Sequence, residues 1–421
     1  MLANGGTKWL AGVLAILMAS GVAHAQAAWR EAFQSSPATY EAPSDQFLKF
    51  AAERRKAPLE VVRTDMTPQP VDGTVRYRLT VQAAGSELRI RLSNEEGSAP
   101  LRLAAASIGV AADGFAAQPG SLRSLTFGGV SHASLAAGVA MISDPVSVNV
   151  QPGTELVVSV ALASPMANEG RGGAGFVRAD GNQATQTVLA HSTPMRGRPL
   201  VSGVEILSDP APRVIVTMGD SITDGNRVEP GVLRGWPERL AQRLAQRQGG
   251  PPYSVVNAGI AGNRLLTRGW GEAGLARLDR DVLRIEGVSH LILLLGINDI
   301  NMSGRSLFGA NPDISAEELI TGYRQIIARA HARGIKVHIG TLTPAPTDEF
   351  FTPAKIATRN EVNRWIRTSG EPDGVIDFEA MVRDPAAPTR FRPEFDSGDH
   401  LHPSDRGYAA MGDGIDLGLF Q

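Results

Sequence analysis

Residues 213–226 read RVIVTMGDSITDGN. Val214-Ile215-Val216 is a short apolar run rich in β-branched side chains, the pattern of a buried strand. It breaks at Gly219-Asp220-Ser221, and Thr223, Asp224 and Gly225 then form a cap-and-turn cluster ahead of an amphipathic pattern over Trp236–Arg247. A serine placed where a buried strand gives way to a helix stands at the edge where open α/β sheets hold their ligands. Gly219 allows a tight turn there. Alone, this stretch is also compatible with an ordinary loop and a hydroxyl cap.

Outward from it, the pattern to the C-terminus alternates strands with helices. Strands are predicted at Val214–Met218, Ser254–Asn257, His290–Leu295, Lys336–Gly340 and Val375–Phe378. Helices are predicted at Trp236–Arg247, Leu275–Ile285, Ala316–Arg333 and Lys355–Arg367, with Ser315 and Glu318 as a capping box and Gly334 as a stop. This order implies a parallel sheet with helices on both faces, a three-layer α/β/α domain over residues 213–421.

From Gln26 to Ser208 the period is two. Val75, Tyr77, Leu79 and Val81 alternate with Arg76, Arg78 and Thr80, and Leu88, Ile90 and Leu92 with Arg89 and Arg91. Half-exposed strands broken by turns such as Val71-Asp72-Gly73 and Gln151-Pro152-Gly153 predict an all-β sandwich, jelly-roll-like, over residues 26–208. Ser44–Arg55 is the exception, a short helix, and Ser208–Arg213 reads as a linker stiffened by Pro210 and Pro212. Residues 170–175 satisfy G-x-G-x-x-G, but no helix pattern follows, so the motif reads as a loop rather than a phosphate site. The sandwich either binds carbohydrate or braces the second domain.

The 421 residues carry 41 basic and 43 acidic side chains, a balance with no electrostatic footprint for nucleic acid. Cysteine is absent, which removes disulfides, thiolate metal sites and cysteine nucleophiles. Lys8, the apolar run Trp9–Met18 and Ala23-His24-Ala25 have the form of a secretory signal over residues 1–25, cleaved after Ala25. That run falls short of the ~20 residues a spanning helix needs. The expectation is a protein exported to the periplasm or beyond, without stable membrane insertion.

Three more loops follow predicted strands: Asn257–Asn263, Gly296–Asp299 and, near the C-terminus, Asp399–Pro403. Singly they read as turns and caps, and Asp396, Asp399, His400 and His402 as solvated side chains or metal ligands. Together with Ser221 they fall at one rim. A serine hydroxyl needs a base to become a nucleophile, and imidazole titrates in the right range. Asp399 and His402, three apart, can face one way, so the carboxylate can orient the imidazole towards Ser221. His400 lacks that spacing and is read as a bystander. The N–H groups of Ser221 and Gly262 and the Asn298 amide are candidate donors to an oxyanion, while Asp220 and Asp299 are expected to hold loops through backbone N–H groups.

Gly219-Asp220-Ser221, Gly262, Gly296-Ile297-Asn298-Asp299 and Asp399-x-x-His402 resemble, in order, the four sequence blocks of the SGNH (GDSL-type) hydrolases. WPERLA, NAGIAGNRLL and SGDHLHPSD are similar to a subgroup of arylesterase- or acylhydrolase-like members with a β-rich domain in front. The resemblance implies a flavodoxin-like sheet, a Ser221–His402–Asp399 triad and an oxyanion hole of Ser221, Gly262 and Asn298, working without cofactor or metal. The implied substrate is a small ester or an acylated carbohydrate, with aryl and lipid esters as the alternative. A glycan-binding protein on an inactive hydrolase scaffold is the reading from another class. No G-x-S-x-G elbow is present.

Overall fold

The computed structural model describes residues 1, 27–38, 42–67, 70–166, 175–195, 197–198, 200–225, 235–305, 312–348 and 351–421, with backbone alone for Phe50, Arg54, Arg55 and Asp65. The signal-like segment and residues 170–174 of the glycine motif lie outside these.

Five parallel strands form the C-terminal sheet, Arg213–Gly219, Tyr253–Gly259, Val288–Leu294, Lys336–Gly340 and Gly374–Ile376, in the order 2-1-3-4-5. They are parallel because every crossover carries helix, and such strands are covered on both faces. Val214, Ile215, Val216 and Met218 are accordingly buried, as are Leu291 to Leu295. Register aligns the strand ends: Gly219 lies beside Gly259 on one side and Leu294 on the other. The loops bearing Ser221, Gly262 and Asn298 therefore leave one edge of the sheet, at the point where the strand order reverses. Helices Trp236–Gln246 and Asp405–Gly414 pack together, and Ala316–His331 packs on Pro353–Thr368. The predicted Leu275–Ile285 helix is shorter, Gly274–Leu278 followed by a π-helical turn Asp279–Leu283.

The N-terminal half is built of antiparallel strands in two sheets. One contains Ala28–Gln34, Val201–Ser208 and Gly85–Asn94; the other is centred on Thr74–Thr80, Glu155–Leu162 and Leu101–Val110. Leu88, Ile90, Leu92, Val204 and Ile206 of the first share a core with Val75, Tyr77, Ile108, Val158 and Val160 of the second. The alternation thus marks the inward face correctly, but the charged face of the first sheet does not simply meet water. Arg91 pairs with Glu31 and Glu205 at 2.7 Å each, and Glu31 is buried, which pushes its carboxyl up to about 7. Ser254 Oγ donates to Glu31 O at 2.7 Å and Gln34 Nε2 to Asp281 O at 2.9 Å, so this face joins the parallel-sheet half.

The predicted Ser44–Arg55 helix is present as Asp45–Arg55, capped by Ser44 Oγ, and a second helix, Leu59–Met66, follows it. Phe47, Leu48, Ala51, Ala52, Val62 and Met66 belong to the core of the parallel sheet, not to that of the sandwich. An amphipathic helix follows the apolar surface it can cover rather than its neighbours in sequence.

Candidate active site

Asp220, the residue after the first strand, caps the single-turn helix Ser221–Asp224 by accepting from Ile222 N at 3.0 Å. Ser221 is the first residue of that helix, so its N–H has no helical acceptor. Gly219 permits the close turn: a Cβ there would lie 2.6 Å from both Thr223 Cβ and Leu294 O.

The C-terminal loop approaches this serine from the far end of the chain. His402 Nε2 lies 2.8 Å from Ser221 Oγ, and His402 Nδ1 lies 2.8 Å from Asp399 Oδ2. The other carboxylate oxygen, Asp399 Oδ1, accepts from the N–H groups of Leu401 at 3.0 Å and His402 at 2.8 Å. Burial alone would raise the Asp399 carboxyl, but the hydrogen bond and charge of His402, with these two N–H groups, outweigh it and hold it well below the usual carboxylate range. With Asp399 ionised, Nδ1 carries the proton and Nε2 is left to accept from the serine. His400 pairs instead with Asp396 at 2.6 Å, and Asp396 Oδ1 also accepts from Gly398 N at 2.7 Å. The four Asp and His residues weighed as one metal cluster are thus two separate pairs within a braced loop.

Gly262 occupies the third position of a turn closed by Asn263 N–H to Ile260 O at 3.0 Å, with φ +77°. Glycine favours that conformation, and the N–H at this position takes no part in closing the turn. The Trp270 indole lies directly over it; a Cβ at 262 would sit 2.8 Å from Cζ3 and nearer to Cε3. Asn298, in the helix Ile297–Met302, donates from Nδ2 to Asn263 O at 3.1 Å, leaving its second amide hydrogen for a ligand. Asp299 accepts from Leu265 N at 2.7 Å and Leu266 N at 3.0 Å, tying the Gly262 loop to the Asn298 helix. Burial pushes the Asp220 carboxyl up to about 7 and that of Asp299 up to about 6.

Two residues without a role in the sequence reading organise these loops. Arg277, fully buried, donates to Gly219 O at 3.0 Å, Ala258 O at 2.7 Å and Asn263 Oδ1 at 3.0 Å, and pairs with Asp281 at 2.8 Å. Asn263 in turn donates to Trp270 O at 3.2 Å and Glu272 O at 2.8 Å, shaping the loop beyond Gly262. The four-residue spacing of Arg277 and Asp281 on a helix face that also carries Leu278 and Val282 was the available signal, since a charged pair on an apolar face needs a buried purpose.

A flavodoxin-like parallel sheet carrying a hydroxyl–imidazole–carboxylate chain and a cluster of neutral donors at its carboxyl edge defines an α/β domain equipped for acyl transfer. Residues 217–410 match the GDSL-like Lipase/Acylhydrolase family, and the chain is a carboxylic ester hydrolase. Similar solved structures include an acetylxylan esterase from Geobacillus stearothermophilus, at 19% identity over 48% of this chain and 91% of that one, with a TM-score of 0.38. A GDSL-like lipase from Bacteroides thetaiotaomicron is 20% identical over 49% of this chain and 88% of that one, with a TM-score of 0.37. No curated protein matches the chain.

Proposed function

We propose that the protein is an exported serine esterase that removes O-acetyl or other small acyl groups from carbohydrate, with Ser221 as nucleophile. The observation that carries the mechanism is the unbroken chain Ser221 Oγ–His402 Nε2 and His402 Nδ1–Asp399 Oδ2, each link 2.8 Å. In the acylation step Ser221 Oγ attacks the ester carbonyl while His402 takes its proton, and Asp399 stabilises the imidazolium that results. The carbonyl oxygen becomes an oxyanion, received by the N–H groups of Ser221 and Gly262 and by Asn298 Nδ2. His402 then returns the proton to the leaving alkoxide, and a water activated by the same imidazole releases the acid and frees Ser221.

The preference for a small acyl group is supported by the resemblance to arylesterase- and acylhydrolase-like members, and the Trp270 ring packs directly over Gly262. Export is supported by the signal-like residues 1–25, and among the described residues no helix is long and apolar enough to cross a membrane. The N-terminal module, read as a jelly-roll-like sandwich over residues 26–208 with the hydrolase over 213–421, serves in this reading as a brace. The test compares acetylated oligosaccharides with p-nitrophenyl esters of increasing chain length, using Ser221→Ala as control. Turnover of long-chain esters without any sugar deacetylation would replace the carbohydrate reading with that of a general aryl or lipid esterase. A wild-type protein whose Ser221 fails to react with a fluorophosphonate would mark an inactive scaffold.

A further inference from the structure

Arg198 lies in the N-terminal half, just ahead of the strand Val201–Ser208, yet its side chain ends among the catalytic loops. Its guanidinium reaches both oxygens of Asp224, Nη1 to Oδ1 at 3.2 Å and Nη2 to Oδ2 at 3.3 Å. Nη2 also donates to Gly259 O at 3.1 Å, and Nη1 reaches Ser35 Oγ at 3.5 Å. The pair is sequestered, with 5% of the arginine side chain and 9% of the aspartate side chain exposed.

The acceptors give this contact its significance. Asp224 is the last residue of the helical turn that begins at Ser221, and its N–H donates to Asp220 O at 2.8 Å. Gly259 ends the second strand, three residues before Gly262, and the next N–H, that of Ile260, donates to Gly219 O at 3.1 Å. The two segments touch directly: a Cβ on Gly259 would lie 2.8 Å from Asp224 Cα and closer still to its N. Asn257 Nδ2 closes the same seam on Thr223 O at 2.7 Å. One planar fork thus binds the turn that carries the hydroxyl to the strand that leads to the oxyanion glycine.

We propose that Arg198 is a positioning residue for ester hydrolysis, through which the N-terminal module sets the distance between Ser221 Oγ and the Gly262 N–H. Arg277 holds Gly219 O and Ala258 O from within the hydrolase domain, and Arg198 supplies the matching hold on Asp224 and Gly259 O from outside it. The bidentate geometry needs arginine, because a lysine ammonium cannot span both carboxylate oxygens and a carbonyl in one plane. Removing the guanidinium takes away the bidentate hold on the buried Asp224 carboxylate, so the turn has reason to move. A shift of about 1 Å between reacting groups can cost about 10²-fold in rate.

The inference rests on Ser221 being the nucleophile, and the experiment separates the two. R198A, R198K and D224N are compared with wild type for kcat and KM on p-nitrophenyl acetate, for the rate constant of fluorophosphonate labelling, and for thermal midpoint. Rates are normalised to the titrated number of reactive sites. The expected result for R198A is a fall of about 10- to 100-fold in kcat and in labelling rate, KM staying within about threefold, with R198K intermediate. Purely structural glue between the two halves would lower the thermal midpoint and leave kcat per reactive site at the wild-type value, which overturns the proposal. If R198A does not fold, R198K and D224N decide by the same readouts, and wild-type kcat in both overturns it. S221A is the separate control: labelling that survives in it removes the nucleophile assignment, whatever the Arg198 variants do.

Discussion

Replacing Gly262 by alanine tests the oxyanion assignment at the position with least room for error. The added Cβ would stand 2.8 Å from Trp270 Cζ3, 3.0 Å from Cδ2 and nearer to Cε3, where packed carbons keep about 3.5–4.0 Å. Either the indole or the backbone must yield by about 1 Å. The indole is itself packed, in a T-shaped contact with Phe47 whose ring centroid lies 5.5 Å away. A side chain at φ +77° adds about 1–2 kcal/mol of backbone strain, which pushes residue 262 away from its present conformation. Either way the N–H at 262 turns from the carbonyl position, and loss of one such donor costs about 3 kcal/mol, or about 10²-fold in kcat. The assay is steady-state turnover of p-nitrophenyl acetate together with the thermal midpoint, for G262A and for G262A/W270A. Removing the indole relieves the clash but not the φ strain, so the double variant should regain stability while keeping part of the kcat deficit. A folded G262A enzyme within about threefold of wild-type kcat would refute the reasoning, since no donor could then be acting from that N–H.

D399N keeps the size of the side chain and its acceptance of the Leu401 and His402 N–H groups, but it disrupts the His402 tautomer; kcat should fall about 10⁴-fold at neutral pH, read with the same ester. N298A removes the third donor and should lower kcat about 10²- to 10³-fold with KM little changed. H400A breaks only the pair with Asp396 and should keep kcat within about tenfold of wild type, whereas H402A should abolish fluorophosphonate labelling on the same time scale. A further expectation concerns acid stability. His290 and His338 stack at 5.5 Å in the sheet, and burial pushes both down from 6.5 to about 4, with Lys336 lowering both, Arg213 lowering His290, and Asp373 opposing. The unfolded chain binds more protons than the folded one between these values. No penalty therefore applies above pH 6.5, and stability drops as pH falls towards 4, by about 3 kcal/mol for each ring. Urea unfolding at pH 7 and pH 4.5 reads this directly; H338L should flatten the slope, and an unchanged slope would count against the buried pair as its source.

The parallel sheet was legible because its strands are continuous apolar runs and its helices carry their own caps, signals that live within a dozen residues. The site was legible for a related reason. Ser221, Gly262 and Asn298 each follow a strand end, and parallel register brings strand ends to one edge without reference to side chains. Asp399 and His402 declared each other through a three-residue spacing. What spacing does not encode is contact between segments remote in sequence. The helices of residues 45–66 have an apolar face that fits either core, and only packing against Trp270 and its neighbours decides which. The alternating arginines and glutamates around Arg91 and Glu31 look the same whether water or another domain covers them. Arg198, 26 residues from Asp224 in the chain, gains its meaning from a fold that sets it beside the turn carrying Ser221. Local chemistry is written in local order; the placement of a buried charge depends on the whole packed surface that removes its water.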